Sequence, residues 1–273
     1  MSLSIRHPGL WSRRSRRLAV LTFAVIALVA ALAQRPGWSL GDLRAFDYLS
    51  TIDDPRPPED GPIIVAIDEP SLADINAQWP WPRDLHARLI ESLRKAGARA
   101  IGLDIIFAEP SNPASDAALT KALGPDVVLA GDESLIVTPQ ADQLLRTTPL
   151  PAFTAAGAVT GIASIALGGD GVFRELPHYD DGFAMALARV ADKETVSADG
   201  KLLQSFGPSR SYPTVSYYQA LDPENMLPAN TFKDRVVIVG LSLQNAPAIN
   251  SGGADAFATS YTVHTGRPVP GAE

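Results

Sequence analysis

The sequence predicts an α/β fold: a single domain with a mixed, mainly parallel sheet, preceded by one transmembrane helix. Three observations carry the α/β assignment. Ile63–Ile67 is an apolar, β-branched run of strand length that suits burial on both faces, and it ends in Asp68 and Glu69. Leu85, Leu89 and Leu93 then recur every four residues after Pro82, with Asp84 as the expected cap and Gly97 as the stop, the pattern of a helix with one apolar face. Residues 100–107 form a second apolar strand. Strand, helix and strand in this order make a βαβ unit, with parallel strands joined by a right-handed crossover.

The amino-terminal element rests on charge and hydropathy. Residues 1–17 form a basic tail with Arg6, Arg13, Arg14, Arg16 and Arg17 and no acid, and residues 18–33 are uncharged and apolar. As a helix that run reaches about 24 Å, somewhat less than a hydrocarbon core of about 30 Å. Arg17 and Arg35 can snorkel to close the gap, so residues 18–34 are assigned as an anchor. Arginines on the amino side hold that end in the cytoplasm and place the body outside. A cleaved signal peptide is the alternative, with Ala31-Leu32-Ala33 as its small-x-small site. The run exceeds a usual signal core of roughly 7 to 15 residues, which favours the uncleaved anchor. A buried core helix fits poorly after five arginines.

Residues 35–62 read as a linker, with Trp38 and Phe46 early and prolines at 55, 57, 58 and 62, expected to be extended. The domain proper is residues 63–273. After its βαβ unit, residues 116–123 look helical, and residues 127–130 read as a third buried strand between Gly124-Pro125 and Gly131. Residues 158–165 and 172–176 flank Gly168-Gly169-Asp170-Gly171, which suggests a hairpin and an antiparallel part of the sheet. Phe183–Val190 reads as a helix and residues 235–240 as a last strong strand; the tail after residue 245 is expected to be mostly loop.

Composition narrows the function. With 46 % apolar residues the chain can build a real core. Beyond residue 35 there are 17 basic against 30 acidic residues, a formal charge of −13. That excess argues against nucleic-acid binding, which needs clustered Lys and Arg to displace counterions. The absence of cysteine excludes disulfides, zinc-thiolate sites and thiol nucleophiles. No Ser-His-Asp elbow or His-Glu-x-x-His motif is present, and no cofactor is implied.

An ordered series of segments resembles the CHASE2 sensory domains of bacterial receptors. It runs from Ile64-Val65-Ala66-Ile67-Asp68-Glu69-Pro70 through Trp79-Pro80-Trp81-Pro82-Arg83, His86-Ala87-Arg88-Leu89 and Ile101-Gly102-Leu103-Asp104-Ile105-Ile106-Phe107. It continues with Gly171-Val172-Phe173-Arg174, Tyr212-Pro213-Thr214, Val236-Val237-Ile238-Val239-Gly240 and Pro270-Gly271-Ala272-Glu273. The resemblance spans residues 63–273. It implies an extracytoplasmic, periplasmic ligand-sensing domain tethered to the cytoplasmic membrane, a non-enzymatic input for an output such as a cyclase or kinase that these residues do not contain. The expected partners are an unidentified small-molecule or ion ligand, the membrane, and in one reading a second copy of the chain.

Candidate ligand-binding residues follow from position and chemistry. Asp68 follows one parallel strand and Asp104 lies near the end of the other, at the edge where open α/β sheets take ligands, and Glu69 and Asp116 can join them around a cation or polar ligand. The bland alternative has these acids capping helices or pairing with Arg83 and Arg174. Trp79 and Trp81, stiffened by two prolines and followed by Arg83, make either a pocket wall with an anion contact or core packing. Arg174 and Tyr212 complete the set. His86, His178 and His264 lack metal-ligand spacing and read as structural, and the Gly-Gly-Asp-Gly stretch reads as a turn. An exported hydrolase with a metal at Asp68, Glu69 and Asp104 is the competing function, and a receptor dimerisation module a third.

Overall fold

A computed structural model describes residues 13–33, 36–138, 141–176, 179–192, 202–244 and 255–273; the side chains of residues 13, 32, 33 and 36–40 lie outside the description, as do His178 and the first nine residues of the tail. The chain divides into two compact units, residues 1–49 and 50–273. The first holds α1 (Arg13–Ala33) and most of α2 (Pro36–Thr51). Every large apolar side chain of α1 from Leu18 to Val29 is exposed. No helix among the described residues is long and apolar enough to cross a membrane. Within α1 the arginines at 13, 14, 16 and 17 occupy its start, leaving sixteen uncharged positions after Arg17, about 24 Å of helix. The linker expected to be extended over 35–62 is instead helical to Thr51, because its prolines gather only after Asp54 while Pro36 suits a first helical position.

In the second unit β1 (Ile63–Ile67) leads into α3 (Glu69–Ile75) and α4 (Arg83–Lys95), followed by β2 (Ala100–Ile106) and α5 (Pro113–Ala122). Then come β3 (Val127–Val137), β4 (Asp142–Thr147), α6 (Pro151–Ala155), β5 (Val159–Ile162) and α7 (Phe183–Val190). The remainder is β6 (Thr214–Ser216), α8 (Tyr217–Leu221), α9 (Pro223–Met226), β7 (Val236–Leu241), and a small outlying pair β8 (Ala256–Phe257) and β9 (Val269–Pro270) around α10 (Thr262–Thr265). The sheet runs β4-β3-β2-β7-β1-β6, with β5 also on β3. Every pair in it is parallel except β3–β4. This is the mixed, mainly parallel α/β sheet the sequence predicts.

Alternation along the strands assigns the two faces. Ile63, Val65, Ile101, Leu103, Val237 and Val239 point into the larger core, where α4 contributes Leu89, Ile90 and Leu93 and Tyr217 joins from α8. Ala100, Val128 and Ala130 point the other way, against Phe183 and Leu187 of α7. Gly102 and Gly161 permit that contact: a methyl group at Gly161 would lie 2.5 Å from the Phe183 backbone.

Three local expectations are corrected. Asp84 does not cap α4; the helix starts after Pro82, whose ring presets the backbone, and the Asp84 carboxylate accepts from Ser115 Oγ at 2.6 Å. Gly97 does end it, at φ 87°. The glycine-rich tetrapeptide is a turn, closed by Gly171 N donating to Gly168 O, but its flanks form no hairpin ladder. Val172 bridges to Ala258 and Glu175 to Leu202, while β5 pairs in parallel with β3. The antiparallel element lies elsewhere: β3 runs on past Gly131 and folds back as β4.

Candidate functional site

The carboxyl ends of the parallel strands open onto a groove. Two overlapping cavities of about 540 and 850 Å³ share Asp104, Ser164, Phe173, Leu176, Leu203 and Glu273 as lining. Asp104 and Tyr212 are the only sequence-predicted residues in that lining.

Asp104 stands on the α7 face of β2, two positions beyond Gly102. Its neighbour on β7 is Gly240, where a methyl group would lie 3.2 Å from Asp104 Cβ and 2.8 Å from Ala272 Cβ. Among the described residues its carboxylate has no hydrogen-bond or ion-pair partner. Burial pushes its pKa up to about 6, and the charge of Asp255 adds to the rise. Burial likewise raises Asp255. The closing segment holds Asp255 near: Gly271 N donates to Asp255 O at 3.0 Å, and a methyl at Gly271 would lie 2.4 Å from Asp255 Oδ1.

Asp68 lies at the same edge in a different role. It caps α3, its Oδ1 accepting from Ser71 N at 3.1 Å and Ser71 Oγ at 2.6 Å, and its Oδ2 accepts from Ser216 Oγ at 2.7 Å. Arg210 Nη2 stands 3.6 Å from Oδ2, and Arg210 Nε 3.6 Å from Glu273 Oε1. Ser242 Oγ and Ser209 Oγ donate to the two oxygens of Glu273. The result is a satisfied Asp68–Arg210–Glu273 network, as the burial of both acids requires. Glu69 accepts from Gln244 N at 2.8 Å.

Asp68 and Asp104 therefore share an edge without meeting. The βαβ unit does bring both strand ends to one side, but β7 is inserted between β1 and β2. Two strand spacings amount to about 10 Å, beyond the 4 to 6 Å at which carboxylates strongly couple. Among the described residues no group of three His, Cys, Asp or Glu could hold a metal ion.

Trp79, Trp81, Arg83 and Asp116 belong to the opposite face. Trp81 is 3 % exposed and packs edge-on against Trp79 at 5.4 Å and at a tilt against Tyr217 at 4.8 Å. Arg83 pairs with Asp116 at 2.8 Å, donates to Glu109 O, and lies over the rings of Phe107 and Phe153 at 5.4 Å. His86 Nδ1 meets Tyr217 OH at 2.9 Å, and burial, then the charge of Arg83, lowers its pKa to about 4. For these residues the packing alternative describes the contacts. Arg174 is buried and clamped by Asp170 through two 2.8 Å bonds, which hold the Asp170 pKa down to about 2, and it does not line the groove. His264 Nε2 meets Thr51 Oγ1 at 2.9 Å.

Sequence reasoning missed Arg210, Glu273, Asp255 and the apolar walls Phe173, Leu203 and Phe257. Of the residues singled out from the sequence, Asp104 and Tyr212 pointed to the groove, Tyr212 lying two positions from Arg210.

Residues 22–273 match the family model described as the CHASE2 domain, a match that begins inside α1, well ahead of residue 63. No curated protein and no solved structure matches the chain.

Proposed function

The chain belongs to the CHASE2 domain family, and from that membership we propose that it is the extracytoplasmic ligand-sensing input domain of a membrane-bound bacterial receptor, with the carboxyl-edge groove as its ligand site. The observation that carries the groove is Asp104, which has no partner among the described residues: a desolvated carboxylate costs free energy unless something satisfies it. Apolar walls with a few convergent polar groups are the usual make-up of a small-molecule site. Ligand binding then biases the domain between two states only as far as its affinity for them differs. The anchor reading is supported by the exposed apolar face of α1 and the arginines before it, since a helix apolar all round is stable only when lipid or protein covers it. The output, a cyclase or kinase, lies outside these residues in this reading.

Two experiments test it. Alkaline phosphatase fused after Glu273 is expected to be active; an inactive fusion beside an active cytoplasmic reporter at the same point refutes the topology. A thermal-shift screen of the chain against a compound library is expected to give saturable stabilisation without turnover. Metal-dependent turnover would favour the hydrolase instead. The dimerisation reading is favoured by one feature, the β3–β4 hairpin, whose Leu135, Val137, Leu144 and Leu145 are exposed. It predicts a dimer by sedimentation that Leu144→Asp disperses, and no ligand in the screen.

A further inference from the structure

The chemistry of the groove narrows the ligand. Among the described residues the larger cavity is lined by Asp104, Asp132, Glu133, Asp255 and Glu273 and by no basic side chain. Three of these acids are already engaged. Asp132 accepts from Ser164 Oγ and Ser134 Oγ, Glu133 stands 3.5 Å from Arg146, and Glu273 is bound by Arg210 and its serines. Asp104 and Asp255 are left, two carboxylates close enough for one charge to raise the other's pKa. Arg210 cannot turn to them without abandoning Asp68 and Glu273, and Arg189, at the rim of the smaller cavity, donates to Asp180 O.

An anion is repelled by this lining. A neutral polar ligand leaves the paired negative charge unmatched. A hard divalent ion wants six or more oxygen ligands, and among the described residues no cluster of three acids or histidines offers a start. The walls beside the carboxylates are apolar: Phe173, Leu176, Leu203 and Phe257. A cationic nitrogen on a hydrocarbon body matches both parts, and in a desolvated site a charge-assisted hydrogen bond is worth about twice a neutral one.

We infer that the groove binds a small organic ammonium compound, its nitrogen between Asp104 and Asp255 and its apolar body against Phe173, Leu176, Leu203 and Phe257. This rests on the groove being the sensor's ligand site and deepens that reading. Gly240 and Gly271 shape the niche, because a side chain at Gly271 would displace the Asp255 carboxylate and one at Gly240 would crowd Ala272 and the Cβ of Asp104.

The test is calorimetric titration of the whole chain with phenethylammonium and hexylammonium, and with 2-phenylethanol and hexan-1-ol as neutral analogues. Saturable one-site binding of at least one ammonium is expected, at least tenfold tighter than its alcohol. Asp104→Asn is expected to weaken it by tenfold or more with no loss of thermal stability, and Asp255→Asn to act in the same direction should the first variant fail to fold. Equal affinity for the alcohols, full affinity in both variants, or calcium displacing the ammonium from the site overturns the proposal. So does the failure of both ammonium probes. If they fail while a library compound of another class binds and Leu203→Arg blocks it, the cation class falls and the sensor groove stands; if no compound binds, both fall.

Discussion

Asp104→Asn is expected to stabilise the protein at neutral pH, an unusual outcome for a change at a partly buried polar position. In the folded chain desolvation holds this carboxyl up to about 6 against an ordinary 3.8, with Asp255 contributing. The difference is roughly 2 pKa units, about 3 kcal/mol at 1.36 kcal/mol per unit. The sign follows from proton binding. Below about pH 3 folded and unfolded chains both hold the proton, and ionisation costs nothing. As pH rises towards 6 the unfolded chain releases its proton freely while the folded one resists, so stability falls, and above 6 the full cost is present. Other charged groups around the groove are Glu273, Asp132 and Glu133 from β3, Asp180, and Arg189 from α7, and the causes of the Asp104 shift are its burial and Asp255 alone. Asparagine keeps the shape and removes the charge. Water entering the open groove reduces the effect, so urea unfolding at pH 7.5 is expected to show Asp104→Asn more stable by about 1 to 3 kcal/mol, with the difference vanishing near pH 3. A variant less stable than the parent at pH 7.5 would mean that Asp104 has a partner in the folded chain, and would remove the main support for the groove.

Three further outcomes are expected. Trp81→Ala should cost about 3 to 5 kcal/mol in chemical unfolding, since the ring is buried between Trp79 and Tyr217; a change below about 0.5 kcal/mol refutes the packing role. His86, held near 4, is neutral when folded but takes a proton at about 6.5 when unfolded, so its stabilisation, complete above 6.5, is lost as pH falls towards 4. That loss of about 3 kcal/mol opposes the Asp104 effect over the same range, and His86→Gln is expected to flatten the acid limb of the stability profile; an unchanged limb refutes the assignment. Gly271→Ala should push the Asp255 carboxylate aside, weakening ammonium binding about tenfold while changing stability by less than about 1 kcal/mol; unchanged affinity by calorimetry would show that Asp255 takes no part.

The resemblance of the sequence to CHASE2 domains and the identity of the sheet rest on local signals. Five apolar residues from Ile63 and seven from Ala100 are strands because their side chains are buried on both faces, and the leucines of α4 mark one helical face whatever the strand order. Gly97 ends its helix for a reason confined to one residue, a backbone angle that other side chains resist. Asp104 was legible as a candidate because an acid inside an apolar strand signals an unmet cost.

What the tertiary structure decided is who meets whom. Trp79, Trp81, Arg83 and Asp116 pack on one face and Asp104 opens on the other, a division set by the side-chain parity of strands whose pairing no local pattern reveals. The insertion of β7 between β1 and β2 separates Asp68 from Asp104, and it depends on hydrogen bonds between segments more than 130 residues apart. Arg210 and Asp255 reach the edge from loops and a closing segment with no periodicity of their own. Periodicity reports how a residue relates to its chain neighbours and to burial, so the amino-acid sequence by itself determined the elements and the α/β class. The site is made of contacts between distant segments, and only the folded chain set a carboxylate that has no partner among the described residues beside a second one and an apolar wall.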